Sequence, residues 1–221
     1  MFMSLACLVS AGDRVVASAA MFSSCHVVLT EILPKWGITV ELVKSDDHEG
    51  WVRALSIPTR AVFIETPSNP LLEITDIRCV SELAHKAGAV VVVDNVMASV
   101  VLQKPLELGA DVVMYSTTKH IDGQGRVLGG AILGSDDYFT NHLLPFNRHT
   151  GPTMSAFNAW VLVKSLETLL ADCQDYINEI EDDLSHVPQK EDFVYHTKHG
   201  MLSYIGRDFI IKTAKKQTDA V

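Results

Sequence analysis

Short runs of consecutive apolar residues recur along the chain, and longer stretches with helical spacing separate them. The run Val90–Val93 is β-branched throughout and does not alternate, which is typical of a strand covered on both faces in a parallel sheet. In Thr75–Ala87 the apolar residues lie three and four positions apart, which predicts an amphipathic helix. We expect Thr75 to be the N-cap of this helix and Gly88 to end it.

The same two patterns predict the other elements. Strands are predicted at Arg14–Ala17, Thr39–Val43, Ala61–Glu65, Val90–Val93, Val112–Tyr115 and Ala131–Leu133. Helices are predicted at Met1–Leu8, Val27–Trp36, Glu49–Leu55, Thr75–Ala87, Asp136–Asn147 and from Ser155 to about Ser185. Strands that alternate with helices indicate an α/β fold, with a mostly parallel sheet flanked by helices.

Polar residues stand where several of these strands end. Asp94 follows Val90–Val93, and the group Ser116, Thr117, Thr118 and Lys119 follows Val112–Tyr115. A third strand, Ala61–Glu65, runs into the turn Thr66-Pro67-Ser68-Asn69-Pro70, in which two prolines restrict the backbone. Ligands of open α/β sheets bind beyond the carboxyl ends of the strands. We therefore expect these side chains to face one pocket.

A lysine and an acid at such positions suggest pyridoxal 5'-phosphate (PLP). This cofactor needs a lysine that binds its aldehyde and a carboxylate that keeps its pyridine nitrogen protonated. The hydroxyls of Ser116 and Thr118 could bind its phosphate. Taken singly, Lys119 could be a solvated loop lysine and Asp94 the cap of a turn. Their occurrence together on this scaffold favours the cofactor.

Four contiguous motifs strengthen this interpretation: ETPSNP at Glu65–Pro70, VDN at Val93–Asn95, STTKH at Ser116–His120 and GQGRVLGG at Gly123–Gly130. They resemble the Cys/Met-metabolism family of fold-type I PLP enzymes from Met1 to about Thr168. The motif TKHIDGQGR is most similar to the O-succinylhomoserine sulfhydrylase branch. Other branches usually carry an aromatic residue after the lysine and an N-G-H turn.

The resemblance implies a role for each of six residues. Lys119 would bind the cofactor covalently and then move protons, and Asp94 would pair with the pyridine nitrogen. Phe22 would stack on the ring, where many relatives have tyrosine, and Asn69 would bond the phenolic oxygen. Ser116 and Thr118 would hold the phosphate. The chain departs from the family after Asn95, where Val96 to Val100 replace a segment that usually holds phenylalanine and proline.

The activity implied is γ-replacement on O-succinylhomoserine, or another O-acylhomoserine, with sulfide, which gives homocysteine in methionine biosynthesis and transsulfuration. Cystathionine γ-synthase and methionine γ-lyase activity would use the same six residues and remain alternatives. A further alternative is a catalytically inactive remnant, because the family's phosphate loop would precede Met1 and no arginine for the substrate carboxylate is identified.

The resemblance also implies a domain organisation. Residues 1–152 would be the PLP-binding large domain without its N-terminal part, 153–187 a long interdomain helical region, and 188–221 the start of a truncated C-terminal domain. At full length we expect a homo-oligomer of the family's tetramer-of-dimers type.

Composition agrees with a globular enzyme. The 221 residues are 48% hydrophobic and 20% charged, and the net charge of −9 argues against a nucleic-acid partner. No apolar run approaches the ~20 residues of a membrane span. The cysteines Cys7, Cys25, Cys79 and Cys173 form no C-x-x-C pair, so we expect free thiols in a cytoplasmic protein and no metal site.

Overall fold

The computed structural model describes residues 1–184. The predicted C-terminal domain start, 188–221, lies outside these residues. The chain divides into two compact units. Unit 1 comprises Met1–Ala98, Lys104–Tyr115 and Ala131–Thr153, and unit 2 comprises Ser99–Gln103, Ser116–Gly130 and the chain from Met154 onward.

A six-stranded sheet has the order β2-β1-β3-β4-β5-β6. Its strands are β1 (Arg14–Ser18), β2 (Thr39–Val43), β3 (Ala61–Glu65), β4 (Val90–Asp94), β5 (Val112–Ser116) and β6 (Gly130–Gly134). The pairs β1–β2, β1–β3, β3–β4 and β4–β5 are parallel. The predicted α/β class with a mostly parallel sheet is confirmed.

Helices connect the strands. They are α1 (Phe2–Ala6), α2 (Ser23–Val27), α3 (His48–Ala54), α4 (Ile77–Lys86), α5 (Ser99–Leu102), α6 (Asp136–Tyr138), α7 (Leu144–Thr150) and α8 (Ala156–Leu184). Helix α2 continues as π and 3₁₀ turns over Val28–Ile32 and Leu33–Trp36, and a π turn at Phe139–Leu143 joins α6 to α7. A 3₁₀ turn at Pro105–Leu108 precedes β5. Of the described residues, none form a helix both long and apolar enough to cross a membrane.

The prediction that Thr75 caps α4 is wrong. Asp76 is the N-cap, and its carboxylate accepts a hydrogen bond from the Cys79 N–H at 3.1 Å. Thr75 is buried instead, and its N–H donates to the Thr66 hydroxyl at 3.0 Å. A carboxylate attracts the N–H groups of a first turn more strongly than a hydroxyl does, because it is charged. Gly88 does end the helix, with a φ of +76°.

The central strands β1, β3, β4 and β5 are buried on both faces, as their apolar runs predict, whereas the edge strands β2 and β6 are partly exposed. On one face, Val15, Phe63, Val92 and Val112 pack with Leu5 of α1 and other residues in one cluster. The alternate strand residues are also buried; they are Val16, Val62, Ile64, Val91, Val93 and Val113. Helices α3 and α4 contact β2 and β4. Burying a valine or leucine side chain stabilises the fold by about 1.5–3 kcal/mol.

Candidate active site

Two buried acids stand side by side at the carboxyl ends of β3 and β4 in unit 1. Glu65 and Asp94 are register partners on these parallel strands, and they are 2% and 4% exposed. The sequence analysis singled out Asp94 but gave no role to Glu65. The sequence does contain a pattern that points to Glu65, because AVFIE, like VVVVD, is an apolar strand that ends in an acidic residue.

The carboxylate of Glu65 binds two backbone N–H groups from different segments. One oxygen accepts from Phe22, the residue that starts α2, and the other accepts from Asn69 at 3.0 Å. Both donors are residues that the sequence analysis placed in a cofactor site. The phenyl ring of Phe22 remains 44% exposed and is therefore available for a ligand. Asn69 lies between Pro67 and Pro70, whose peptide bonds are both cis.

Asp94 is a buried carboxylic acid beside Glu65. It accepts a hydrogen bond from the Val96 N–H at 3.1 Å. Burial raises its pKa to about 6, and the Val96 bond acts in the opposite direction. Burying a carboxylate is costly unless a positive charge or several hydrogen bonds compensate. A cationic nitrogen beside Asp94, such as a protonated pyridine, would supply that compensation.

Burial, together with the charge of Asp94, raises the pKa of Glu65 to about 8, and the two N–H bonds act in the opposite direction. In the folded chain, Glu65 and Asp94 therefore keep their protons up to a higher pH than they do in the unfolded chain. Protein stability should therefore fall as pH rises from about 5 to 8, with a slope of at most about 1.4 kcal/mol per pH unit for each group. Urea unfolding of the unaltered chain and of Glu65→Gln across this range measures the effect. The variant should show a flatter profile, and an identical profile would contradict the prediction.

In unit 2, Lys119 lies in a π turn, Thr117–Ile121, that follows the end of β5 at Ser116. Lys119 interrupts the turn with non-helical angles, φ −93° and ψ −120°, and its side chain is exposed. Irregular π turns occur frequently at functional sites. The neighbouring His120 is half-buried, and burial together with the charge of Lys119 lowers its pKa.

Gly129, near the end of the glycine-rich segment Gly123–Gly130, forms two hydrogen bonds with this turn. Its carbonyl accepts from the Thr117 N–H at 3.0 Å, and its own N–H donates to the Thr118 hydroxyl at 3.0 Å. A Cβ on Gly129 would lie 2.6 Å from the Thr117 hydroxyl oxygen and 2.6 Å from the Met154 Cε. Only glycine therefore permits this close approach. The Thr117 hydroxyl is buried and has no hydrogen-bond partner within the described part of the chain.

The loop DGQGR after the turn is closed by an ion pair. The buried carboxylate of Asp122 accepts from the Arg126 backbone N–H at 2.5 Å and from its Nε at 3.0 Å. Arg126 also donates to the Ser165 hydroxyl of α8 at 2.8 Å. Burial alone would raise the pKa of Asp122, but the hydrogen bonds from Arg126 and Val127 outweigh it and hold the pKa below its usual value.

Asp122→Ala should destabilise unit 2, because it removes these bonds and leaves the Arg126 N–H groups without their acceptor. We expect a loss of about 2 kcal/mol, since hydrogen bonds to charged groups contribute roughly 1.5–3 kcal/mol each and Arg126 is partly exposed. Urea unfolding measures it. Glu167→Ala is the matched control, because Glu167 pairs with Lys164 at an exposed position and should change stability by less than ~0.5 kcal/mol. Equal losses for the two variants would contradict the prediction.

The six predicted site residues fall in two groups. Unit 1 contains Phe22, Asn69 and Asp94, and the first two bind Glu65 through their backbone. Unit 2 contains Ser116, Thr118 and Lys119 within one strand end and turn. Unit 1 offers an exposed aromatic residue and a buried acid that would pair with a cation, and unit 2 offers hydroxyls and an exposed lysine. PLP uses an acid and a lysine of these kinds, so the residues within each unit fit the cofactor.

Comparison with known proteins defines the class. The family model described as Cys/Met metabolism PLP-dependent enzyme matches residues 1–176, which include all six residues. The chain therefore belongs to this family, whose cofactor is pyridoxal 5'-phosphate. The predicted family resemblance is confirmed.

Two curated relatives share the name O-succinylhomoserine sulfhydrylase. The chain is 61% identical over 168 residues to that of Mycobacterium tuberculosis, an alignment of 76% of this chain and 41% of the relative. It is 43% identical over 162 residues to that of Pseudomonas aeruginosa, which covers 73% and 40%. The chain thus spans about two fifths of the length of these relatives.

Two solved structures share the fold. The cystathionine gamma synthase from Xanthomonas oryzae pv. oryzae, in complex with aminoacrylate and cysteine, gives a TM-score of 0.73 at 37% identity and covers 76% of this chain and 44% of that one. The metB protein from Corynebacterium glutamicum gives a TM-score of 0.80 at 30% identity and covers 97% and 55%.

Proposed function

We propose that the protein is a PLP-dependent sulfhydrylase that exchanges the acyloxy group at the γ-carbon of O-succinylhomoserine for sulfide and so forms homocysteine. The observation that carries this proposal is the 61% identity to the O-succinylhomoserine sulfhydrylase of Mycobacterium tuberculosis. The motif TKHIDGQGR, which contains Lys119, supports assignment to the same O-succinylhomoserine sulfhydrylase branch.

Six residues would hold the cofactor, which when bound supplies an electron sink for carbanions formed on the substrate. Asp94 keeps the pyridine nitrogen protonated through its buried carboxylate. Phe22 stacks on the ring, and Asn69 bonds the phenolic oxygen. Ser116 and Thr118 bind the phosphate through their hydroxyls.

Lys119 has two tasks in this proposal. Its Nζ would hold the cofactor by condensing with the aldehyde, with loss of water. When it is not so engaged, the same Nζ would accept a proton from one substrate carbon and return it to another. The exposed side chain and the irregular turn at Lys119 support a group that must change position during a cycle.

Product analysis tests the reaction. The protein, supplied with PLP and O-succinylhomoserine, should form homocysteine with sulfide faster than it forms cystathionine with cysteine. A preference for cysteine would indicate a cystathionine γ-synthase, and 2-oxobutyrate formed from methionine would indicate a methionine γ-lyase. Absence of all three products would support a catalytically inactive remnant.

The domain organisation is part of the proposal. Residues 1–152 would form the PLP-binding large domain, 153–187 an interdomain helical region and 188–221 the start of a C-terminal domain. Helix α8 at Ala156–Leu184 supports the middle segment. The reaction would take place in the cytoplasm, on a small-molecule amino-acid substrate, in a homo-oligomer.

A further inference from the structure

The buried carboxyl group of Glu65 has no part in the roles described so far. It is 2% exposed, it ends β3, and its two oxygens accept from backbone N–H groups 47 residues apart along the chain, at Phe22 and Asn69. Burying a carboxyl group costs free energy unless hydrogen bonds to both oxygens compensate for the lost contact with water. Here the N–H groups of two separate segments provide these bonds.

Both segments bear a side chain assigned to the cofactor. Phe22 lies at the start of α2, where its φ and ψ of −57° and 137° are outside the helical region and its side chain forms no cap bond. Asn69 lies in the Pro67–Pro70 turn, where Leu72 donates its N–H to the Ser68 carbonyl at 2.8 Å. Glu65 accepts hydrogen bonds from both segments. Its side chain therefore links the backbone of Phe22 to the backbone of Asn69.

We propose that Glu65 is a positioning residue, which holds Phe22 and Asn69 in the arrangement that receives the PLP ring. The inference rests on the proposed function. Glu65 acts through the backbone of two other residues and touches neither substrate nor cofactor in this account. Its benefit is preorganisation: segments that are already ordered lose less conformational entropy when the ligand binds.

Three variants separate positioning from general stability. Glu65→Leu keeps an apolar side chain of suitable volume but removes both acceptors. Glu65→Gln keeps one acceptor oxygen and replaces the other oxygen with an NH₂ group. This group is a donor and cannot accept a hydrogen bond from the backbone N–H that faces it. Glu73→Gln is the matched control, because Glu73 is the same type of residue, lies three residues after the turn and has an exposed side chain.

The first measurement needs no cofactor. Amide hydrogen exchange in the PLP-free protein should accelerate roughly tenfold or more at both Phe22 and Asn69 in Glu65→Leu, because each N–H loses its hydrogen-bond acceptor. It should accelerate at one of them in Glu65→Gln and at neither in Glu73→Gln. Core amides of β4, such as Val92, should keep their protection in all three variants. Unchanged exchange at Phe22 and Asn69 in Glu65→Leu would overturn the inference.

The second measurement is the dissociation constant for PLP. It should rise about tenfold or more in Glu65→Leu, by an intermediate factor in Glu65→Gln and by less than about twofold in Glu73→Gln. Faster exchange with unchanged PLP affinity would overturn the positioning role. Failure of the unaltered protein to bind PLP would instead overturn the proposed function, and with it the link between Glu65 and the cofactor, while the exchange experiment would still report on the hydrogen bonds.

Discussion

Lys119→Ala is expected to abolish covalent attachment of PLP and to remove turnover. No other residue in the Ser116–His120 motif offers an amine, so a visible absorption band from lysine-bound cofactor should vanish in the variant. Non-covalent PLP should still bind, because Asp94, Phe22, Asn69 and the two hydroxyl residues remain. The activity should fall by at least ~10⁴-fold, since the variant loses both covalent catalysis and a proton carrier.

The variant Lys164→Ala provides the control, because Lys164 is an exposed lysine of unit 2 that pairs with Glu167. It should retain the absorption band and the activity. An absorption band that survives Lys119→Ala would mean that another lysine holds the cofactor.

Asp94→Asn should spare folding but lower turnover by roughly 100-fold or more. The change preserves shape and keeps an oxygen that can accept from Val96, but removes the negative charge that keeps the pyridine nitrogen protonated. Because the raised pKa of about 6 shows that the ionised form is costly in this buried position, the neutral variant should be at least as stable as the parent.

Steady-state kinetics, together with thermal unfolding of the cofactor-free protein, measure the two effects separately. Asp111→Asn is a suitable control, since Asp111 is a more exposed acid that contacts His85 at 3.0 Å. Near-normal turnover in Asp94→Asn would exclude the proposed role, and loss of folding would show that the charge is structural.

The sheet was predictable because its signal is local. Each central strand contains a run of consecutive apolar residues, and both faces of the sheet are covered there, so the pattern needs no knowledge of distant partners. Val90–Asp94 and Val112–Ser116 differ from the predicted Val90–Val93 and Val112–Tyr115 by one residue each. The start of α4 was less predictable, because Thr75 and Asp76 are both good N-caps and the choice depends on Thr66, nine residues away.

The candidate site was predictable only in part. Residue type and position at strand ends pointed to Asp94, Ser116, Thr118 and Lys119 and placed Asn69 at the same sheet edge, and the family resemblance added Phe22 and the role of Asn69. Glu65 was missed because its partners, the N–H groups of Phe22 and Asn69, come together only when the chain folds. The ion pair of Asp122 with Arg126 was not predicted, because two charges four residues apart in a loop meet only in certain backbone conformations.

The proposed function depends most directly on covalent attachment of the cofactor to Lys119. Borohydride reduction of the PLP-loaded protein, followed by proteolysis and mass spectrometry of the peptides, locates the attachment directly. The added mass should fall on the peptide containing Lys119 and should disappear when substrate is added before reduction. A label on a different lysine, or on several lysines in proportion to their exposure, would contradict this attachment.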